Sequence, residues 1–427
     1  MTKTTTQPAI RLSQRSAWSA DQPIGDLMGR AIANPDLISL AAGFVDRATL
    51  PVEPVQAAFE DLLADDWQAR HALQYGATHG DRELRHLILE RLQTQDGLPY
   101  PDLHPDRIVL SAGSNQMLQL IADTLLDPGD IVICASPTYL VYMGILQGVG
   151  ARSVGVETDQ DGMIPESVEQ LLNQLDQQGQ VSRVKAIYLV SYFDNPMGIS
   201  TSSARRQAIV ELAKRWSEHH PIFVIEDAAY RELRYDCDDI PSARAYDPDG
   251  DTVIHTGSFS KSFSPGLRIG WGILPESLVE PICNQKGNID FGSPHLNQRL
   301  MARVIRQGNY DRHIETLRNG YATKRLAMLE AADRYLADIA GVRWVRPDGG
   351  LYVWVTLPPG LDAGPDGPLF DRAIAEGVLY VPGHYCFPAE GPAVQANTIR
   401  LSFGVQTPDQ IVAGVDALAR AIKKAAR

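Results

Sequence analysis

Thr256-Gly-Ser-Phe-Ser-Lys-Ser-Phe-Ser-Pro-Gly-Leu-Arg-Ile-Gly-Trp271 sets one lysine, Lys261, among hydroxyls and glycines, with Arg268 seven residues later. An amine in such a loop suits a Schiff base with an aldehyde, because burial or a nearby positive charge lowers a lysine pKa and leaves it partly neutral. The hydroxyls of Ser258 and Ser260 and the guanidinium of Arg268 suit an anion such as phosphate. From this stretch alone a solvated lysine beside a flexible Ser/Gly turn reads equally well.

Outward from Lys261, short β-branched runs alternate with helical patterns. Strands are predicted at 108–110, 131–133, 153–156, 186–190, 222–225, 252–255 and 269–274. Between them lie amphipathic stretches, such as 208–216, where Ile209, Leu212, Ala213 and Trp216 share a face. This alternation predicts an α/β fold with a mostly parallel sheet covered by helices on both faces. After about residue 300 the pattern changes to long helices (296–306 and 311–336) and then strands at 342–345, 351–357 and 398–402. The expected division is a segment 1–60 packing on a smaller α+β domain, a large domain over 61–300, and that smaller domain over 301–427.

A chain of 427 residues with 44% hydrophobic and 21% charged residues has the balance of a soluble globular protein. A net charge of −13 disfavours nonspecific contact with nucleic acid or anionic membrane. No apolar run is long enough to span a bilayer, and the first nine residues lack the apolar stretch of a signal peptide. Cys134, Cys237, Cys283 and Cys386 are far apart and show no metal-type spacing, as expected of reduced thiols in the cytoplasm.

Other segments offer partners for Lys261. Ser111-Ala-Gly-Ser-Asn-Gln116 joins a strand to a helix, where free backbone N–H groups favour an anion; the alternative is a plain cap by Ser114. Asp227, in Glu226-Asp-Ala-Ala-Tyr230, falls at a strand's C-terminal end, where a carboxylate can pair with a protonated ring nitrogen or cap a helix. Asn195-Pro-Met-Gly198 follows the strand 186–190 and also has the composition of a turn. Tyr139 can stack on a flat ring or pack as an ordinary aromatic. Arg400 points from an apolar strand and needs an anion, either a bound carboxylate or an internal acid.

Taken in order, Gly-Ser-Asn-Gln, Pro-Thr-Tyr, Asn-Pro-Met-Gly, Asp-Ala-Ala-Tyr, Ser-Phe-Ser-Lys with its Arg, and Ile-Arg-Leu resemble the fold type I pyridoxal-phosphate enzymes. More narrowly they resemble class I/II aminotransferases of the 2-aminoadipate/kynurenine type, from about Ile38 to Phe403. The resemblance implies a seven-stranded large domain and pyridoxal 5'-phosphate as cofactor. It makes Lys261 the Schiff-base lysine that also moves the proton, and Asp227 the partner of the pyridine nitrogen. Asn195 and Tyr230 then bind the phenolic oxygen, and Tyr139 stacks on the ring. Ser114, Asn115, Ser258, Ser260 and Arg268 form the phosphate cup. Arg400 binds the substrate α-carboxylate, with Ala42-Gly43 approaching it. Tyr75 reaches the neighbouring subunit's phosphate, which implies a homodimer with shared sites.

Two departures bear on specificity. Asp194 and Met197 stand where relatives often carry Gln and Thr or Ser, so a carboxylate is expected near the site. In Ile24-Gly-Asp-Leu27, Gly25 stands where many relatives have arginine, which disfavours an acidic substrate if that arginine reads one. The rival enzymatic reading is a lyase, decarboxylase or synthase on the same scaffold. A regulator that joins such a domain to a winged helix is expected to need more than the roughly 35 residues before Ile38. The donor and acceptor are not named by the sequence.

Overall fold

Seven buried runs, too short and too β-branched for helices, pair into one sheet. They are β1 (Ile108–Ser111), β2 (Ile131–Ala135), β3 (Arg152–Val156), β4 (Val184–Val190), β5 (Phe223–Asp227), β6 (Val253–Ser258) and β7 (Gly270–Ile273). The computed structural model describes residues 10–19, 25, 29, 34, 36–41, 43–100, 103–218 and 220–426. Ile24, Asp26, Leu27 and Ala42 lie outside the described residues.

The strand order is β1-β7-β6-β5-β4-β2-β3. All pairs are parallel except those of β7, which runs antiparallel to β1 and β6. The strands therefore read as continuous apolar runs, because helices cover both faces. Helices Ser114–Leu125 and Leu140–Gly148 pack on one apolar cluster, and Pro165–Gln177 and Ser203–Trp216 on another. β5 and β6 run two and three residues beyond their predicted ends. Asp227 pairs in register with Thr256, so it is the last residue of its strand rather than the start of a loop.

A second, four-stranded antiparallel sheet follows: β8 (Arg343–Trp344), β9 (Tyr352–Thr356), β10 (Val381–Pro382) and β11 (Thr398–Ser402), in the order β8-β9-β11-β10. The short β10 was not foreseen; two residues carry no periodicity to read. Near the N-terminus, Ile38–Ser39 pairs with Val378–Leu379, and Ser402 N–H donates to Leu40 O at 2.7 Å. Helix Val52–Ala64 instead packs on helix His295–Arg306. Among the described residues no helix is long and apolar enough to cross a membrane.

This topology brings the C-terminal ends of β4, β5 and β6 to one crevice, with the start of helix Ser114–Leu125 beside it. Crevices at the carboxyl ends of parallel strands are where α/β sheets bind ligands. Across it, β9 and β11 set Trp354 opposite Arg400, so these two and Tyr352 share one face of the small sheet.

Candidate active site

One end of the crevice is built for an anion. Helix Ser114–Leu125 begins behind Gly113, whose φ is +88°, and no side chain caps its first turn. Ser114 is thus the first helical residue, not the cap, and the helix N-terminus keeps its affinity for negative charge. A Cβ on Gly113 would lie 2.4 Å from Arg268 Nη2, and one on Gly270 would lie 2.4 Å from Ser114 N. Only glycine allows these approaches. Arg268 donates to Ala112 O at 3.1 Å and Pro265 O at 3.0 Å, and lies 3.5 Å from Ser260 Oγ. Ser258 Oγ donates to Ser260 Oγ at 2.9 Å. Among the described residues Arg268 has no carboxylate partner. A cation, two hydroxyls and an uncapped helix start suit a phosphate.

Next to it lies a buried carboxyl. Asp227 is buried; it accepts from Tyr188 O–H at 3.0 Å and from Ala229 N–H at 3.2 Å. Burial, partly offset by the Tyr188 hydrogen bond, pushes its pKa up to about 6. The Tyr188 ring lies 4.1 Å from that of Tyr142, giving the carboxyl an aromatic wall. Among the described residues this carboxylate forms no ion pair, and a ring N–H would supply one. Tyr139 O–H donates to Asn115 Oδ1 at 3.3 Å, and burial holds its phenol above the usual range.

The far end holds the amine and a second arginine. Lys261 Nζ donates to Gly43 O at 2.6 Å. A Cβ on Gly43 would meet Tyr352 Oη at 2.9 Å. Tyr352 and Tyr230 share a hydrogen bond of 3.1 Å, and burial holds the Tyr230 phenol neutral well above its usual range. Arg400 is 1% exposed. Its Nη1 donates to Asn195 Oδ1 and its Nη2 to Ala41 O, both at 2.7 Å, while its buried Nε has no partner among the described residues. Its guanidinium lies 4.4 Å over the Tyr352 ring. Among the described residues it pairs with no acid, so the internal salt bridge considered from sequence is not found. A buried guanidinium with a spare N–H calls for an anion from outside.

Two expected features sit elsewhere. Tyr75 is 79% exposed and packs edge-on against Phe291 at 5.6 Å, outside this crevice of its own chain. Asp194 turns away from the crevice into its own loop, where Oδ1 accepts from Ile199 N–H at 3.1 Å. Burial raises its pKa to about 7 against the pull of backbone N–H groups at Ile199, Gly198 and Met197. It therefore places less negative charge at the site than its sequence position implied. Asp194→Asn keeps the acceptor and removes the buried charge. The variant is expected to melt higher than the parent at pH 8 and not at pH 5, by calorimetry.

Tyr188, Tyr352, Glu226 and Arg206 were not foreseen. Tyr188 had a signal: a phenol inside a buried run must find a partner for its hydroxyl. Tyr352 had none, because it meets Tyr230 only through tertiary contact.

Residues 35–418 match the family described as aminotransferase class I and II. The chain is 32% identical over 395 residues to aromatic-amino-acid aminotransferase 1 of Thermococcus litoralis, covering 92% of this chain and 90% of the relative. It is 32% identical over 393 residues to 2-aminoadipate transaminase of Thermus thermophilus, covering 91% of each. The crystal structure of Pyrococcus horikoshii kynurenine aminotransferase, in complex with PMP, superposes with a TM-score of 0.88 at 33% identity over 97% of both chains. The matched span runs through both sheets and includes Gly43, Lys261 and Arg400 alike. The chain belongs to the class I and II aminotransferases, as a fold type I, pyridoxal-phosphate-dependent enzyme that transaminates amino acids.

Proposed function

We propose that the chain moves the amino group of an L-amino acid to a 2-oxo acid in two half-reactions at one site, with Lys261 carrying the proton. The observation behind this is a half-buried amine in a crevice that also holds two arginines without acidic partners and a buried carboxylate without an ion pair, all among the described residues. Pyridoxal phosphate supplies the electron sink that makes the Cα–H bond of a bound amino acid labile. Ser114, Asn115, Ser258, Ser260 and Arg268 hold its phosphate, and Tyr139 lies against its ring. Asp227 keeps the ring nitrogen protonated, and Asn195 and Tyr230 reach the phenolic oxygen. Arg400 offers its unpaired Nε–H and neighbouring N–H groups to the α-carboxylate beside Gly43. Lys261, freed from its covalent role, accepts the Cα proton as a general base.

Trp67, Leu73, Tyr75, Ile289 and Phe291 are exposed apolar side chains. They support a homodimer in which Tyr75 serves the neighbour's phosphate. On this reading residues 61–300 form the large domain and 301–427 the small one, with 1–60 as a connecting segment. The four free thiols fit a cytoplasmic enzyme. The relatives' names point to aromatic and 2-aminoadipate donors, and Gly25, where many relatives carry arginine, favours the aromatic ones.

Adding one amino acid to the cofactor-loaded enzyme without an acceptor should convert all of its visible absorbance and release one 2-oxo acid per site. A lyase or synthase on this scaffold would give another product instead. A panel of donors with 2-oxoglutarate and pyruvate then ranks substrates. Arg400→Lys is expected to raise the KM for amino acids about 100-fold with a smaller change in kcat, because a point charge cannot replace the planar fork. An unchanged KM in steady-state assays would remove Arg400 from carboxylate binding.

A further inference from the structure

Asn195 rides on a loop, residues 191–201, whose two ends are held together where β4 ends. Thr201 N–H donates to Ser191 O at 3.0 Å, closing the neck. Arg206, on helix Ser203–Trp216 and 0% exposed, grips that neck from behind. Its Nη2 donates to Ser191 O at 2.6 Å, its Nε to Thr201 O at 2.8 Å and its Nη1 to Pro241 O at 2.9 Å. The guanidinium also lies 4.0 Å over the ring of Tyr192, the second loop residue.

The same arginine faces β5. Its Nη1 is 3.5 Å from Glu226 Oε1, and Glu226 is fully buried next to Asp227. Glu226 also accepts from Ser191 O–H at 2.7 Å, from Ala243 N–H at 3.0 Å and from His255 Nδ1–H at 2.8 Å. Burial opposes its charge, but the His255 hydrogen bond and the charges of His255 and Arg206 bring its pKa down to about 2. Each nitrogen of Arg206 thus meets this neck, the Pro241 carbonyl or the acid beside Asp227.

At its tip the loop presses on the small sheet. Phe193 is held at φ +41°, a conformation a bulky residue adopts only when its surroundings impose it. A Cβ on Gly350 would lie 2.7 Å from Phe193 Cβ, and one on Gly198 would lie 2.6 Å from Tyr352 O. Between neck and tip, Asn195 Oδ1 meets Arg400. The loop spans from the strand of Asp227 to the strand of Arg400, and Asn195 is its bridging side chain.

We propose that Arg206 is a positioning residue: by clamping Ser191 and Thr201 against Glu226, it sets where Asn195 stands between Asp227 and Arg400. The proposal rests on the assignment of Asn195 to the cofactor's phenolic oxygen. Arg206 touches neither cofactor nor substrate. Lysine in its place keeps the charge opposite Glu226 but cannot hold three carbonyls in one plane. A small displacement of Asn195 is enough to matter, since a misplacement of about 1 Å can cost about 100-fold in rate.

The test uses cofactor-loaded enzyme and four variants: Arg206→Lys, Asn195→Ala, the two combined, and Ser191→Ala. The readouts are the pH midpoint of the visible absorbance at Lys261, which responds to the phenolic oxygen's hydrogen bonds, and the split between kcat and KM. Arg206→Lys should retain cofactor, shift the midpoint in the same direction as Asn195→Ala, and lower kcat/KM about 10- to 100-fold. The double variant should match Asn195→Ala alone, because the arginine acts through that side chain. Ser191→Ala, which removes one hydrogen bond at the neck, should shift the midpoint the same way by less; it decides the matter if Arg206→Lys does not fold. An unchanged midpoint in Arg206→Lys, or in Ser191→Ala where that variant stands in, overturns the proposal. Additive effects in the double variant overturn it too. If Asn195→Ala itself leaves the midpoint unmoved, the assignment of Asn195 has failed, and the proposal with it, while an additive double variant leaves that assignment standing.

Discussion

Lys261→Ala is expected to lower turnover at least about 1,000-fold, because it removes both the nucleophile and the base that moves the Cα proton. The structure makes this a loss of chemistry rather than of fold. Among the described residues Lys261 Nζ has one hydrogen bond, to Gly43 O, and the residue is only half-buried. Truncation there should change stability by less than about 1 kcal/mol. The proposed phosphate receptor does not involve Lys261: Arg268, Ser258, Ser260 and the start of helix Ser114–Leu125 are held by their own contacts. The variant should therefore still bind cofactor, more weakly, while losing the absorbance of the lysine-linked form. Small primary amines in the buffer should return part of the rate. Lys261→Arg should be equally inactive and not respond to amines, because a guanidinium stays charged. Lys261→Ala with normal turnover and no added amine would sink the mechanism.

What was legible in the sequence follows from where the information lies. The seven strands were visible because each is a buried β-branched run between helical patterns. Arg268 was visible because Lys261 and the hydroxyls of Ser258 and Ser260 stand with it inside residues 256–271. The uncertain readings were those settled by tertiary contact. Whether Arg400 met an internal acid depended on strands β9 and β11 and on the loop of Asn195, which are distant in sequence. Asp194 looked like a charge at the site, and only the loop's path, bending back to Ile199, turned it inward. Arg206 lies just before the predicted helical stretch 208–216 and carried no local signal. Its place beneath Ser191 and Glu226 comes from how that helix packs on β4 and β5.

Asp227→Asn should separate the cost of the site from its function. In the cofactor-free protein burial pushes the pKa of the Asp227 carboxyl up to about 6, against an ordinary value of 3.8, outweighing the hydrogen bonds from Tyr188 and Ala229. Between those two values the folded state keeps a proton that the unfolded state has released. Stability from this group is therefore fully present below pH 3.8, falls as pH rises toward 6, and stays low above it. The loss amounts to about 3 kcal/mol at most, taking about 1.4 kcal/mol per pH unit. Asparagine does not titrate, so that slope should vanish from the cofactor-free variant. Above pH 6 the variant should be the more stable protein, less about 1–3 kcal/mol for an amide that cannot serve both Tyr188 O–H and Ala229 N–H as acceptor. With cofactor the order reverses. The parent's carboxylate gains the protonated ring nitrogen as a partner; the variant's amide does not hold that proton. The parent should then show the larger rise in melting temperature on adding pyridoxal phosphate at pH 8, and the variant's kcat should fall about 1,000-fold. Calorimetry at pH 4, 6 and 8, with and without cofactor, separates these effects. Equal cofactor-induced shifts in parent and variant, with kcat retained, would mean that Asp227 is a structural acid. A reversed order between the free and loaded proteins would show that the strain of this buried carboxylate is kept for the ring it receives.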